Sequence, residues 1–329
     1  MLPDQATDPA AWRPRLDTAA ARIAGHVRRT DLRAAASIGA ELGIELWLKP
    51  ENHQVTGSFK LRGATNAIAL LEPARRARGV VTVSTGNHGK AVAHAAAAAG
   101  TRAFVFVSSL VPANKLAALR EAGAELRVAG ISQDEAEERA RAEAAAGERV
   151  FIPPFDDPAV IAGQGTIGDE ILVDLPDADT VLVPLSGGGL AAGIAAAVKS
   201  RRPSCRIVGI SMERGPAMAR SVAAGHPVAV EEEPTLADSL GGGIGLDNRY
   251  TFAMVRGLLD DVVLLSEAEI AGGIRAAAAL GETVEGGGGV GLGALVAGRV
   301  RPRGKTVVVL SGANIDPALH RRIVNGEPG

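Results

Sequence analysis

One cysteine in 329 residues, Cys205, leaves this chain without an internal disulfide or a cysteine metal cluster. A lone cysteine reads as a small buried hydrophobe, and such usage fits a reducing cytoplasm. Aromatic residues are scarce at 3%, and the formal net charge is only −2. The chain therefore has few stacking platforms and no basic field, so no nucleic-acid partner is expected. Residues 1–14 carry Asp4 and Asp8 and no apolar segment, which is not the pattern of a secretory signal. The alanine-rich run 91–100 is too short for a bilayer span and is interrupted by His94, so no membrane association is expected. Only 13 residues follow Asp316, too few for a C-terminal regulatory domain. Small-molecule chemistry is what remains.

What the chain does have is a 47% hydrophobic composition, enough to bury a full core, and a regular alternation of short β-branched runs with alanine-rich helical patterns. That alternation predicts an α/β fold built from βαβ units around parallel sheet. Strands are predicted at 44–48, 80–84, 103–107, 125–128, 180–185, 206–211, 262–265 and 305–310. Val80-Val81-Thr82-Val83 and Thr306-Val307-Val308-Val309-Leu310 are continuously apolar or β-branched, as in strands covered on both faces. The charge-dense stretch 139–149 reads as a solvated helix face, and Glu231-Glu232-Glu233 as a solvated turn. Gly241-Gly242-Gly243 and Gly286-Gly287-Gly288-Gly289 mark backbone that bends sharply or approaches another element closely.

Three strand ends carry polar groups in place of ordinary turn residues: Ser84-Thr85-Gly86-Asn87-His88-Gly89, Ser186-Gly187-Gly188-Gly189-Leu190 and Ser311-Gly312-Ala313-Asn314. Ligands in open α/β sheets bind outside the carboxyl ends of strands, so all three are expected to face one crevice. A fourth motif, Ser58-Phe59-Lys60-Leu61-Arg62-Gly63, places Lys60 at the start of a helical pattern. There the macrodipole and an apolar wall disfavour the ammonium form, making the amine a nucleophile and a base. A glycine-rich turn opening a helix cradles phosphate with bare amides. A small cofactor with both an aldehyde and a phosphate would satisfy lysine and glycines together, and pyridoxal 5′-phosphate (PLP) is such a cofactor. In the first strand-end motif, Ser84, Thr85, Asn87 and His88 offer more than one helix cap requires, and suit a substrate carboxylate and a ring hydroxyl. Ser311 suits a neutral pyridine nitrogen. The rival is a nucleotide-binding loop, since Gly187, Gly189 and Gly193 form a loose glycine fingerprint with Glu213 after the next strand. That rival, an NAD(P)-dependent oxidoreductase, leaves Lys60, Asn87 and Ser311 unexplained.

Together with Gly163-Gln164-Gly165-Thr166, these motifs resemble in order and spacing the fold type II PLP enzymes of the serine/threonine dehydratase family, over roughly residues 20–318. The resemblance implies two domains, each an open, mainly parallel sheet flanked by helices. The large PLP-binding domain would comprise 1–53 and 154–329, and the small one 54–153. It implies that Lys60 carries the cofactor covalently beside Phe59, and that Asn87 meets the ring hydroxyl. Ser186, Gly187, Gly188, Gly189 and Leu190 would hold the phosphate, Glu285 would lie near the ring, and Ser311 would meet its nitrogen. Ser84, Thr85, Asn87 and His88 would bind an amino-acid substrate. A homodimer and the β-elimination of a small β-hydroxy amino acid are implied as well. The stretches 211–215, 236–245 and 248–252 are similar to those of hydroxyectoine-utilisation dehydratases, whose implied substrate is a hydroxylated diaminobutyrate derivative. Amino-acid racemases of the same fold often have serine where this chain has Thr85, whose added methyl disfavours racemisation. Glu213 matches a glutamate that binds a divalent cation in related enzymes. The expected aspartate position, however, holds Ala219, so no tightly bound metal is expected. A non-catalytic relative of the fold would not be expected to retain Lys60, Asn87, the glycine cup and Ser311 together.

Overall fold

The computed structural model describes residues 5–111, 113–131, 133–302 and 304–327. Among these residues ten strands run in chain order: β1 (Arg33–Ala34), β2 (Glu45–Lys49), β3 (Val80–Val83), β4 (Ala103–Val107), β5 (Glu125–Val128), β6 (Val150–Phe151), β7 (Thr180–Pro184), β8 (Arg206–Met212), β9 (Asp261–Leu265) and β10 (Lys305–Val309). They form two sheets. One has the order β1-β2-β10-β7-β8-β9 and is parallel except for the antiparallel pair β1 and β2; the other has the order β5-β4-β3-β6 and is parallel throughout. This is the expected α/β architecture. All eight predicted strands are present with ends within about two residues of those expected, while β1 and β6 are additional. Two residues are too short to set up a readable periodicity, so these two strands owe their existence to their neighbours.

Each sheet is covered on both faces. Leu182 and Val308 project into one apolar cluster of the larger sheet, and Val181, Val183 and Val307 into the cluster on its other face. The same alternation along β3 sends Val80 one way and Val81 and Val83 the other. Cys205 is fully buried in the larger core, and burial pushes its thiol up to about 11, as an inert structural residue requires. No helix among the described residues is long and apolar enough to cross a membrane.

The helix Pro158–Asp174 organises the molecule through glycine notches. A Cβ on Gly163 would stand 2.6 Å from the Arg62 carbonyl, and one on Gly165 would stand 2.8 Å from the Gly193 carbonyl. The helix therefore meets the helix Lys60–Ala69 on one side and the helix Gly189–Lys199 on the other at near-backbone separation. The run Gly163-Gln164-Gly165-Thr166 thus places the lysine and the glycine cup on one common support.

Candidate active site

Lys60 is the first residue of the helix Lys60–Ala69, and its Nζ donates to the Pro154 carbonyl at 2.8 Å. The Phe59 ring lies beside the ammonium, with Nζ 5.2 Å from its centroid. Burial lowers the amine to about 8, partly opposed by the carboxylate of Glu285. Phe59 is held in turn by the Ser311 strand end, since its backbone N–H donates to the Ser311 carbonyl at 3.1 Å and Ser58 bridges Gly312. The lysine motif and the C-terminal motif are thereby stitched together.

The loop after β3 opens the helix Asn87–Ala98, which starts at Gly86 without a side-chain cap. Asn87 donates from Nδ2 to Glu285 Oε1 at 2.7 Å and accepts at Oδ1 from Asn314 at 2.5 Å, so its amide orientation is set from both ends. Ser84 Oγ accepts from the Gly86 amide at 3.2 Å, leaving its own proton available to the cleft. His88 is buried, its Nε2–H donating to the Ile152 carbonyl at 2.9 Å. Burial, with the nearby Lys60 charge, holds the His88 imidazole down at about 3, so the ring is neutral. Glu285 is also buried, and burial raises its carboxyl even though Ser239 and Asn87 hydrogen-bond it.

Across the cleft, the helix Gly189–Lys199 begins at Gly188 with φ near 89° and no side-chain cap. Its first-turn amides have no intrahelical carbonyl to bond. A Cβ on Gly188 would crowd Met218, Thr251 and Val255 at 2.9–3.1 Å, in a backbone region that side chains rarely adopt. These bare amides beside a buried lysine amine are a donor set that fits a phosphorylated aldehyde such as PLP. Replacing Gly188 with alanine is therefore expected to weaken PLP binding by about 5- to 30-fold, through strain of the order of 1–2 kcal/mol. Equilibrium dialysis against PLP measures this, and an unchanged dissociation constant would remove the cradle from the account.

Phe59, Lys60, Ser84, Thr85, Asn87, His88, Ser186, Gly187, Gly188, Gly189, Leu190, Glu285 and Ser311 all line one cleft of about 1570 Å³. Ser311 is buried, and its hydroxyl reaches only the Gly287 carbonyl at 3.4 Å, a long contact that leaves it free to prefer a ligand. Glu213, the acid of the nucleotide-binding alternative, is not part of that lining; it pairs with Arg299 at 3.2 Å. Among the described residues no group of three or more His, Cys, Asp and Glu side chains is arranged to hold a metal.

Several lining groups escape sequence reasoning. Pro154, Phe155 and Asp156 carry no motif. Arg141 belongs to the stretch read as solvated, yet it lines the cleft, with its guanidinium 4.6 Å from the centre of the Phe151 ring. Arg149, beyond the end of that helix, stacks on Phe104 at 3.7 Å and is only partly exposed, while Arg141 itself is exposed as a solvated face requires.

Two mainly parallel sheets with a buried lysine and an uncapped glycine helix between them define a PLP-dependent enzyme. Residues 23–312 match the family described as pyridoxal-phosphate dependent enzyme, and the chain belongs to that family. It is 54% identical to a putative threonine dehydratase of Sinorhizobium fredii over 94% of both chains. It is 42% identical to an L-threonine ammonia-lyase of Thermotoga maritima, covering 91% of this chain and 74% of that one. Among solved structures, maize serine racemase superposes with a TM-score of 0.88 at 32% identity, over 95% of this chain and 96% of that chain.

Proposed function

We propose that the protein catalyses the β-elimination of a small β-hydroxy amino acid, threonine or serine, giving a 2-oxo acid and ammonia. The observation that carries this reading is the convergence on one cleft of a buried lysine amine, an uncapped glycine-rich helix start and the hydroxyl-bearing loop 84–88. The names of the relatives support the same chemistry. When bound, PLP supplies an electron sink for negative charge developing at the substrate Cα.

The protein's own residues do the rest. Neutral Lys60, favoured by burial, takes the α-proton as general base. Ser84, Thr85, Asn87 and His88 hold the substrate, its carboxylate facing the start of the helix Asn87–Ala98. The Thr85 hydroxyl donates a proton as the β-hydroxyl departs as water, and hydrolysis of the released product yields the 2-oxo acid and ammonia. Ser186 and the glycines would hold the cofactor's phosphate, Asn87 beside Glu285 would meet its ring hydroxyl, and Ser311 would meet its ring nitrogen.

The test is to supply L-threonine to the PLP-loaded protein and measure 2-oxobutanoate and ammonia, expected in equal amounts. Formation of D-allo-threonine, the Cα epimer, without oxo acid would instead establish the racemase reading. No turnover of threonine, serine or other β-hydroxy amino acids would defeat the proposal. A hydroxylated diaminobutyrate derivative belongs in the same assay, because most of the segment 236–245 that resembles hydroxyectoine-utilisation dehydratases lines the cleft. We further propose a cytoplasmic homodimer whose large lobe is 1–53 with 154–329 and whose small lobe is 54–153. The placement of strands β3–β6 in one sheet and all the others in the second supports that division.

A further inference from the structure

The chain returns from the smaller sheet to the larger one through Pro153-Pro154-Phe155-Asp156-Asp157, and four of these five residues make specific contacts. The Pro154 carbonyl accepts from Lys60 Nζ. Phe155 walls the glycine cradle: a Cβ on Gly187 would overlap its ring, and one on Gly189 would stand 2.9 Å from its Cα. Asp157 caps the helix that follows it, accepting from Ala159 and Val160 at 2.8 and 3.1 Å. Asp156 instead reaches across the chain, accepting from the backbone amides of Arg249 at 2.7 Å and of Tyr250 and Thr251 at 2.9 Å each.

Those three amides start the helix Thr251–Leu258, whose own N-cap residue, Tyr250, supplies no side-chain cap. This helix also backs the cradle, with Thr251 and Val255 3.0–3.1 Å from where a Gly188 Cβ would lie. The glycine turn thus sits between Phe155 on one side and Thr251 with Val255 on the other. The Asp156 carboxylate ties the two walls together across 93 to 95 residues of sequence.

We propose that Asp156 is a positioning residue for the cofactor site. By anchoring the crossover segment to the helix Thr251–Leu258, it holds both the Pro154 carbonyl that places the Lys60 amine and the Phe155 wall that shapes the phosphate cradle. The inference rests on the reading of Lys60 and Gly187–Gly189 as the PLP site. A carboxylate suits the task because both oxygens accept, so two separate donor directions are served by one side chain.

The test uses the apoprotein and pyridoxine 5′-phosphate, which has the ring and phosphate but no aldehyde to react with Lys60, and is followed by titration with PLP. Asp156→Ala is expected to raise the dissociation constants of both ligands at least about tenfold. Asp156→Asn, which keeps one accepting oxygen, is expected to fall between it and the parent. Ser266→Ala removes the capping box of the remote helix Glu267–Ala279 and serves as the stability control. It is expected to lower the melting temperature with ligand affinity unchanged within about twofold. If Asp156→Ala fails to fold, Asp156→Asn alone decides, with a threefold or larger loss expected. Parent-like affinity in the Asp156 variants would make the residue a helix cap and nothing more, overturning the proposal. Failure of the unmodified apoprotein to bind either ligand would overturn the cofactor-site reading itself, and this inference with it.

Discussion

Replacing Lys60 with alanine is expected to reduce kcat/KM for β-hydroxy amino acids by about 10⁴-fold or more, because one side chain both anchors the cofactor and moves the α-proton. The amine is buried at the first residue of its helix and is lowered to about 8, so it carries far more of the neutral form near neutral pH than an exposed lysine does. Its lone pair is the reactive species. The rate at which PLP loads onto the apoprotein should therefore climb as pH rises through about 8 and level off above it. An ordinary lysine would continue to gain up to its usual value of 10.5. Stopped-flow absorbance across pH 6–11 reads this directly, and mass spectrometry after borohydride reduction locates the label. Full turnover by Lys60→Ala, or a loading rate still rising steeply at pH 10, would remove Lys60 from its role.

Replacing Arg62 with methionine is expected to cost about 3–5 kcal/mol of stability. Arg62 is fully buried and forks onto two carboxylates. Its Nε and one terminal nitrogen donate to Glu51 at 2.9 and 2.8 Å, and its terminal nitrogens donate to Glu170 at 2.6 and 2.9 Å. A further bond reaches Thr166 at 3.1 Å, and buried Lys49 joins Glu170 at 2.5 Å. Burial alone would lower the guanidinium's pKa, but Glu51 and Glu170 outweigh it and hold the group charged. Without Arg62, Glu51 is left buried with Thr30 as its remaining hydrogen-bonding neighbour, hence the size of the loss. Lysine at this position should not rescue, since an ammonium cannot serve two carboxylates in a planar fork.

The cluster also predicts an acid limb. Burial pushes the Glu170 carboxyl up, but Arg62 and Lys49 bring it below its ordinary value of 4.5. The folded state therefore binds the Glu170 proton more weakly than the unfolded chain. This contribution is complete above about pH 4.5 and is lost as pH falls through the depressed folded value. Urea midpoints should drop for Arg62→Met at pH 7 and converge with the parent's as the pH is lowered through that range. A midpoint at pH 7 that shifts by less than the equivalent of about 0.5 kcal/mol would show that the cluster does not support the fold.

Strands such as β3, β4 and β7 are readable because each is a continuous buried run ended by a polar turn, a pattern wholly contained within a few residues. The loops at 84–88, 186–190 and 311–314 stood out for the same local reason. By contrast, the partners of Arg62 lie 11 and 108 residues away, and no periodicity connects them. Arg141 is exposed and pairs with Glu137 as a solvated face requires, and that its face also borders the cleft is not written in the charge pattern. Asp156 belongs to no motif, and only the approach of the segment 249–251 turns it into an anchor.

Local patterning in the chain was sufficient for the α/β class, the positions of most strands, the inert cysteine and the polar strand ends that the structure brings to one cleft. These depend on burial period and turn chemistry, which act over a few residues. Which of those groups meet, how far the Lys60 amine is lowered, and what clamps the glycine cradle were decided only when the helix Pro158–Asp174 brought Gly63 and Gly193 against its notches. Desolvation and hydrogen bonding across a hundred residues depend on the final packing, and packing is a property of the whole chain.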